Sequence, residues 1–304
     1  MLDSLTIIVS EIYNKDVQLV IGTAQFGSLY GATNKNIIDK KNSNEILNFC
    51  KKNFLTEIDT AIDYHNSENL LGEFGMLNFK VSTKLPKITK DKAKIEKWIH
   101  NEVDKSLSRL NIKNLETLYL HEAKDLLSQH SQVIFETLNN LKKEKIIKKI
   151  GVSFYNPHDL INTLKNYKID AVQVPLNVMD SRFINNHIIN KLKDESVTVY
   201  LRSIFLQGIL ITPHINHPVY FKKWENYFKK WELWLAENNL NAVDTCINYA
   251  ASKIKDSKII IGISSLENLK EINCFKRKEI PNIPNKYVCD DIKLIDPRNW
   301  NIDE

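Results

Sequence analysis

"FKVSTKLPKITKDKAKIEKWIHNEVDKSLSRLNIKNLETLYLH" spans residues 79–121. Its two ends, FKVSTK (79–84) and TLYLH (117–121), are short runs rich in β-branched and aromatic residues. Its middle, KIEKWIHNEVDKSLSRL (94–110), places Ile95, Trp98, Ile99, Val103, Leu107 and Leu110 at three- and four-residue steps. That spacing gathers the apolar side chains on one face of an amphipathic helix. The stretch therefore reads as strand, helix, strand.

The same alternation extends in both directions. LVIGT (19–23) and TEIDT (56–60) precede the stretch, and IKKIGVS (147–153), AVQVPL (171–176), VTVYLRS (197–203) and KIIIGIS (258–264) follow it. Most are apolar nearly throughout, as strands covered on both faces should be. HSQVIFETLNNLKKEK (130–145) repeats the helical pattern. Eight strands alternating with helices are the pattern of an α/β fold of the (β/α)8, or TIM, barrel type, with a doubly wound sheet as the competing arrangement. With no linker rich in Gly and Ser, residues 1–304 read as a single domain. Three pieces lie outside the repeat, one of them the tail from about Arg277, where IPNIPNKY shows no clear periodicity. SLTIIVSEIYNKDVQLVIG (4–22) opens with an extra β-like run, expected to form an N-terminal hairpin that plugs the barrel bottom. LQGILITPHINHPVYFKKWENYF (206–228) is a long insertion after the seventh strand, and Trp224, Trp231 and Trp234 are expected on the apolar face of its helix.

Composition narrows the function classes. The chain is 43% hydrophobic and 26% charged, as expected of a soluble globular protein. It contains no long uninterrupted apolar run and no basic leader before an apolar segment, so neither a membrane span nor a signal peptide is expected. Cys50, Cys246, Cys274 and Cys289 lack metal-type spacing and read as reduced thiols of a cytoplasmic protein. The net charge of +5 comes mainly from lysines spread along predicted helices, such as KKEKIIKK (142–149). No aromatic platform accompanies them, so nucleic-acid binding is not expected.

In a barrel of this kind the chemistry belongs at the C-terminal strand ends and the loops that follow. Asp59 closes the second predicted strand, Tyr64 lies in the loop after it, Lys84 closes the third strand and His121 the fourth. Consecutive strands are neighbours, so the four groups should converge. Their chemistry is complementary. A free tyrosine donates a proton poorly at neutral pH, and an ammonium at Lys84 would lower its pKa. A buried lysine needs an anion to keep its charge, and Asp59 supplies one. His121 can donate a hydrogen bond to a carbonyl oxygen or help pass the proton. Such a site protonates an oxygen as negative charge develops on it. That is half of a carbonyl reduction, and the hydride must come from a nicotinamide.

At this point the sequence resembles the aldo-keto reductases. IGTAQFG (21–27), DTAIDYHNSENLLG (59–72), VSTK (81–84), KSLSRLNIKNLETLYLHE (105–122), IGVS (150–153), VQVPLNVMDSR (172–182) and IIGISSLENLKEI (260–272) match the family's blocks in order. The resemblance implies a (β/α)8 barrel, reduction of a small-molecule carbonyl substrate, and a catalytic tetrad of Asp59, Tyr64, Lys84 and His121. It also implies Ser153 and Gln173 at the nicotinamide carboxamide, with Phe154 where many members have Asn. Arg202 stands where an aromatic ring often stacks on the nicotinamide, and a planar guanidinium can stack instead. Ser203 and Gln207 fall on the pyrophosphate side, and Gly22 and Thr23 begin the first βα loop. Gly262, Ser264, Ser265, Asn268 and Glu271 match the adenosine segment, with Asn268 in place of the arginine some members set near the 2′-phosphate. The resemblance favours NADPH, with NAD as the alternative cofactor, and a sugar-derived or other small aldehyde or ketone as substrate.

Other readings of the same residues stay open here. DTAIDYH (59–65) offers three possible metal ligands, although metallohydrolase barrels usually draw several histidines from separate strand ends. Lys84 has the position of a Schiff-base lysine. Barrels resembling potassium-channel β subunits bind the cofactor and serve chiefly as regulatory partners. The oligomeric state is not legible in the sequence.

Overall fold

The structure is a computed structural model and describes residues 17–34, 36–88 and 92–302. Eight strands close into one barrel in sequence order: β1 (Gln18–Gly22), β2 (Glu57–Asp59), β3 (Lys80–Leu85), β4 (Leu115–Leu120), β5 (Ile147–Ser153), β6 (Ala171–Pro175), β7 (Thr198–Arg202) and β8 (Lys258–Gly262). All neighbours are parallel, and β1 pairs with β8, so closure excludes the doubly wound sheet. The expected hairpin begins in residues 4–16, which lie outside the described residues.

One helix follows each of the first six strands: α1 (Lys40–Lys52), α2 (Ser67–Phe74), α3 (Lys92–Leu110), α4 (Ser131–Lys143), α5 (Pro157–Asn166) and α6 (Asn186–Asp194). The apolar stripe read from residues 94–110 is the buried face of α3, with Ile95, Ile99, Val103 and Leu110 fully enclosed. Local chemistry sets the helix starts. Asp39 caps α1 by accepting from the Asn42 amide, and Asn156 caps α5 ahead of Pro157. Helix α2 packs closely on α3 because residue 72 is glycine: a Cβ there would lie 1.9 Å from the Arg109 carbonyl oxygen. Buried Glu68 ties the same layer together, accepting from Thr83 Oγ1 (2.8 Å), Ser106 Oγ (2.6 Å) and Arg109 Nε (2.8 Å).

The barrel interior is filled by side chains. Val20, Tyr119, Ala171, Tyr200 and Ile260 form its apolar centre, with the two tyrosine rings edge to face at 6.0 Å. Tyr119 fits because its neighbour on β5 is Gly151, where a Cβ would meet the ring at 2.3 Å.

The segment after β7 is long, as expected. Three 3-10 segments between 206 and 224 lead into α7 (Glu225–Glu237) and α8 (Ala242–Lys253). Trp224, Trp231 and Trp234 are buried, Trp231 stacks on Trp234 at 5.6 Å, and its indole donates to the Leu210 carbonyl at 3.0 Å. The indole thereby ties the start of the insertion to α7. Helices α9 (Leu266–Asn273) and α10 (Ile292–Ile295) complete the chain.

Candidate active site

Register brings the reactive groups together. Asp59 pairs across the sheet with Gly22 on one side and Ser82 on the other, Lys84 with Tyr119, and Ser153 with Gln173. All of these lie at or near C-terminal strand ends. A cavity of about 800 Å³ opens there, and Asp59, Tyr64, Lys84 and His121 all line it.

Lys84 Nζ donates to Asp59 Oδ2 at 2.6 Å and to the Thr60 carbonyl at 2.8 Å, and both charged side chains are buried. Asp59 Oδ1 accepts from the Gln173 side-chain amide. The backbone beneath is fixed by hydroxyls. Thr23 Oγ1 donates to the Asp59 carbonyl (3.2 Å), Ser67 Oγ donates to Thr23 Oγ1 (2.8 Å), and Thr60 and Ser67 share a hydrogen bond of 3.0 Å. Burial lowers the Lys84 ammonium from its ordinary value, and the Asp59 carboxylate offsets only part of that shift.

Tyr64 faces this pair. Lys84 Nζ is 5.0 Å from its ring centroid, and the His121 ring stands edge-on at 6.2 Å. Burial, helped by the Asp59 charge, raises the Tyr64 phenol above its ordinary value, and Arg202 counters only part of the rise. The lowering expected from Lys84 does not prevail, because desolvation dominates. Burial, with Lys84 and Arg202 adding to it, pushes the His121 imidazole down to about 3. His121 is thus neutral at physiological pH.

The same cavity is lined by Gly22, Thr23, Ser153, Gln173, Arg202, Ser203, Gln207, Gly262, Ser264 and Asn268. Ser265 and Glu271 do not line it. Ser265 caps α9, accepting from the Asn268 amide at 3.1 Å, and Glu271 is exposed. Phe154 is fully buried and contributes its carbonyl, which accepts from Arg202 Nη2 at 3.0 Å.

Gln25, Tyr30, Tyr155 and Arg298 are among the lining residues left unassigned in the sequence. Tyr155 sits two residues past Ser153 at the end of β5, where the strand-end rule alone would have flagged it. Arg298 lies in a tail without periodicity, and no sequence pattern pointed to it. Yet its guanidinium stacks on the Tyr155 ring at 3.6 Å, and that of Arg202 contacts the same ring at 3.9 Å. The first βα loop also meets the loop after β7: the Ala32 amide donates to the Gln207 carbonyl at 3.1 Å, and Gly208 leaves room for Thr33.

Two lining glutamines show an unmet need. Gln173 Oε1 and Gln25 Oε1 are buried without a hydrogen-bond partner, which is costly unless a ligand donates to them. Gly262 adds a tight wall, where a Cβ would lie 3.0 Å from Gln25 Nε2. The N-terminus of α9 also opens toward the cavity beside Ser264 and Asn268. A donor-bearing ring amide and an anionic nucleotide fit this set of groups.

Comparison with known proteins identifies the architecture. The sequence model of the aldo/keto reductase family matches residues 18–280. The chain belongs to that family. It is accordingly an NAD(P)-dependent oxidoreductase, of a family that acts on small carbonyl compounds. Solved structures share the fold at low identity. An aldo-keto reductase of Bacillus halodurans is 17% identical, with 89% of each chain covered and a TM-score of 0.67. A glycerol dehydrogenase of Gluconobacter oxydans is 17% identical, with 94% of each chain covered and a TM-score of 0.68. A Pseudomonas aeruginosa protein described as an aldo-keto reductase is 18% identical, with 86% of this chain and 89% of that chain covered and a TM-score of 0.62. Among curated proteins, none matches the sequence. Among the described residues of this aldo/keto reductase, no helix is long and apolar enough to cross a membrane.

Proposed function

We propose that this aldo/keto reductase, acting as one barrel domain over residues 1–304, uses NADPH to reduce a sugar-derived or other small aldehyde or ketone to an alcohol. Tyr64 is the proton donor, assisted by Lys84, Asp59 and His121. The observation that carries the reading is the convergence of the buried Lys84–Asp59 pair, the Tyr64 phenol and a neutral His121 on one cavity wall.

The bound nicotinamide supplies the hydride. Every other part of the chemistry falls to side chains. A phenol held above its ordinary pKa is fully protonated at working pH, so its proton is present when the carbonyl oxygen gains negative charge. The Lys84 ammonium, kept charged by Asp59, favours the phenolate left after transfer. A neutral imidazole donates one hydrogen bond to the carbonyl oxygen and polarises it. Gln173 would hold the nicotinamide amide through its unpartnered oxygen, with Ser153 beside it. Gly22, Thr23, Arg202, Ser203 and Gln207 line the same cavity and would hold the remaining nucleotide. Ser264 and Asn268, at the start of α9, support the choice of NADPH by offering uncharged donors to its 2′-phosphate. The polar wall formed by Thr33, Asn34 and Asn36 supports a hydroxylated substrate.

Turnover of a panel of aldehydes and sugar carbonyls, followed by loss of reduced-nicotinamide absorbance, tests the proposal. Reduction of several members is expected. A protein that binds NADPH yet turns over almost nothing would instead be a regulatory cofactor-binding barrel.

A further inference from the structure

We infer that Arg298 is a positioning residue for cofactor binding: from the C-terminal tail it braces the Tyr155 ring, and that ring holds Arg202 in the orientation that receives the nucleotide. The inference rests on the placement of Arg202 at the cofactor in the reading above, and adds to it a residue that acts through two others.

Arg202 ends β7 on the cavity wall, yet its own bonds specify it loosely. Its Nη2 donates to the Phe154 carbonyl at 3.0 Å, its Nη1 reaches Ser203 Oγ only at 3.4 Å, and its Nε is buried without a partner. Arg109, Arg182 and Arg298 are each fixed by a carboxylate, at Glu68, Asp180 and Asp296. Arg202 has no such anchor among the described residues. Its remaining support is the Tyr155 ring, 3.9 Å from its guanidinium carbon.

A ring steadies a cation only if the ring is itself held. Tyr155 lies in the loop after β5, and the Arg298 guanidinium carbon stands 3.6 Å from its centroid. Two guanidinium groups at such distances have room only on opposite faces, so the ring is clamped between them. Two cations sharing one ring repel each other, and Asp296 removes that difficulty. This buried carboxylate accepts from Arg298 Nε at 3.0 Å and from Nη2 at 2.7 Å. It also accepts from the Arg298 amide at 3.2 Å, and Pro297 restricts the backbone between the two residues. The brace is therefore stiff and close to neutral.

The tail that carries it is anchored in turn. Trp224 Nε1 donates to Asp291 Oδ2 at 3.0 Å, and the Tyr220 hydroxyl lies 2.8 Å and 3.1 Å from the carbonyl oxygens of Lys293 and Asn299. The Trp300 ring stands edge to face on Phe221 at 4.8 Å. These partners belong to the insertion after β7, whose earlier residues Gln207, Gly208, Ile211 and Thr212 line the cavity. The segment that follows Arg202 thus docks the tail, and the tail returns through Tyr155 to steady Arg202. Ordering a long side chain in advance removes the entropy cost of fixing it on binding.

NADPH titrations of the full-length protein by fluorescence quenching test the inference without turnover. The brace is removed as Asp296→Asn/Arg298→Met, so that no lone carboxylate is left near the nucleotide. Its Kd should rise roughly three- to tenfold, the scale of freeing one ordered side chain. Arg202→Met should raise Kd at least as much, and the brace substitutions added to it should change nothing further, because nothing remains to be held. The ratio of paired-variant to parent Kd should not move with added salt, since no net charge was removed. Tyr155→Leu should weaken binding to the same extent and Tyr155→Phe should not, because the ring rather than its hydroxyl is the support. These two variants leave the tail sequence untouched, so they decide the matter even where the paired variant fails to fold. A paired-variant Kd within about twofold of the parent overturns the inference, as do equal factors with and without Arg202, a ratio that falls as salt rises, or equal losses in Tyr155→Leu and Tyr155→Phe. Each of those leaves the cofactor reading intact. Parental affinity in Arg202→Met overturns the placement of Arg202 and the inference with it, and a parent protein that binds neither NADPH nor NADH overturns the carbonyl-reduction reading itself.

Discussion

The Lys84 ammonium lies 2.6 Å from the Asp59 carboxylate, and both side chains are buried at the facing ends of adjacent strands. Each charge is tolerable there only because of the other, since desolvating a lone ion is costly. Asp59→Asn should therefore destabilise the fold by roughly 3–5 kcal/mol, the usual cost of breaking a buried pair. The double variant Asp59→Leu/Lys84→Met should recover most of that stability while remaining inactive. Urea denaturation of the three proteins checks both statements. A single variant as stable as the parent would show that the pair is not desolvated as described.

Removing only the Tyr64 hydroxyl isolates the proton. Tyr64→Phe keeps the ring packed beside His121 and Tyr30. NADPH affinity, read by fluorescence quenching, should stay within about twofold, while kcat falls by roughly 10²–10⁴. Near-parental turnover would remove Tyr64 from the acid role.

His121 gives stability a defined pH dependence. Its folded pKa is pushed down to about 3 from an ordinary 6.5, so the unfolded chain takes up the proton first on acidification. The contribution of His121 is complete above about 6.5 and is lost as pH falls from there toward the folded value. Asp125, which burial holds up to about 6, acts with the opposite sign over part of that window. The comparison must therefore be between the parent protein and His121→Asn. Urea midpoints of the parent should fall more steeply between pH 6.5 and 5, and parallel curves would contradict the neutral assignment.

Cofactor choice should be modest. Asn268 lines the cavity without a formal charge, and its Oδ1 already accepts from the Ser264 amide at 3.3 Å. NADPH should bind more tightly than NADH by about 1–2 kcal/mol, the net scale of hydrogen bonds to a charged group. Asn268→Arg should widen the gap, and added salt should narrow it. Tighter binding of NADH in parallel fluorescence titrations would reverse the assignment.

Gly151 tests the interior. Gly151→Ala would drive a methyl group to 2.3 Å from the Tyr119 ring, which is enclosed on every side. Overpacking of this kind costs about 1–3 kcal/mol. Thermal unfolding should show the loss, and an unchanged midpoint would mean that Tyr119 can move aside.

The sequence by itself determined the repeating unit and the reactive strand ends. Strand runs such as IKKIGVS and the stripe from Ile95 to Leu110 are legible because each period reports which faces are covered, and the observed β5 and α3 follow them closely. Asp59, Lys84 and His121 were legible because polar groups ending apolar strands have no packing purpose there. Tertiary structure alone decided what those groups meet. Closure placed Gln173 of β6 against Asp59, across the barrel from its own neighbours in sequence. It also brought Arg298, from an aperiodic tail, onto Tyr155. Periodicity records the local environment of one element. Contacts between residues 114 or 143 positions apart depend on how all eight elements close, and no local pattern encodes them.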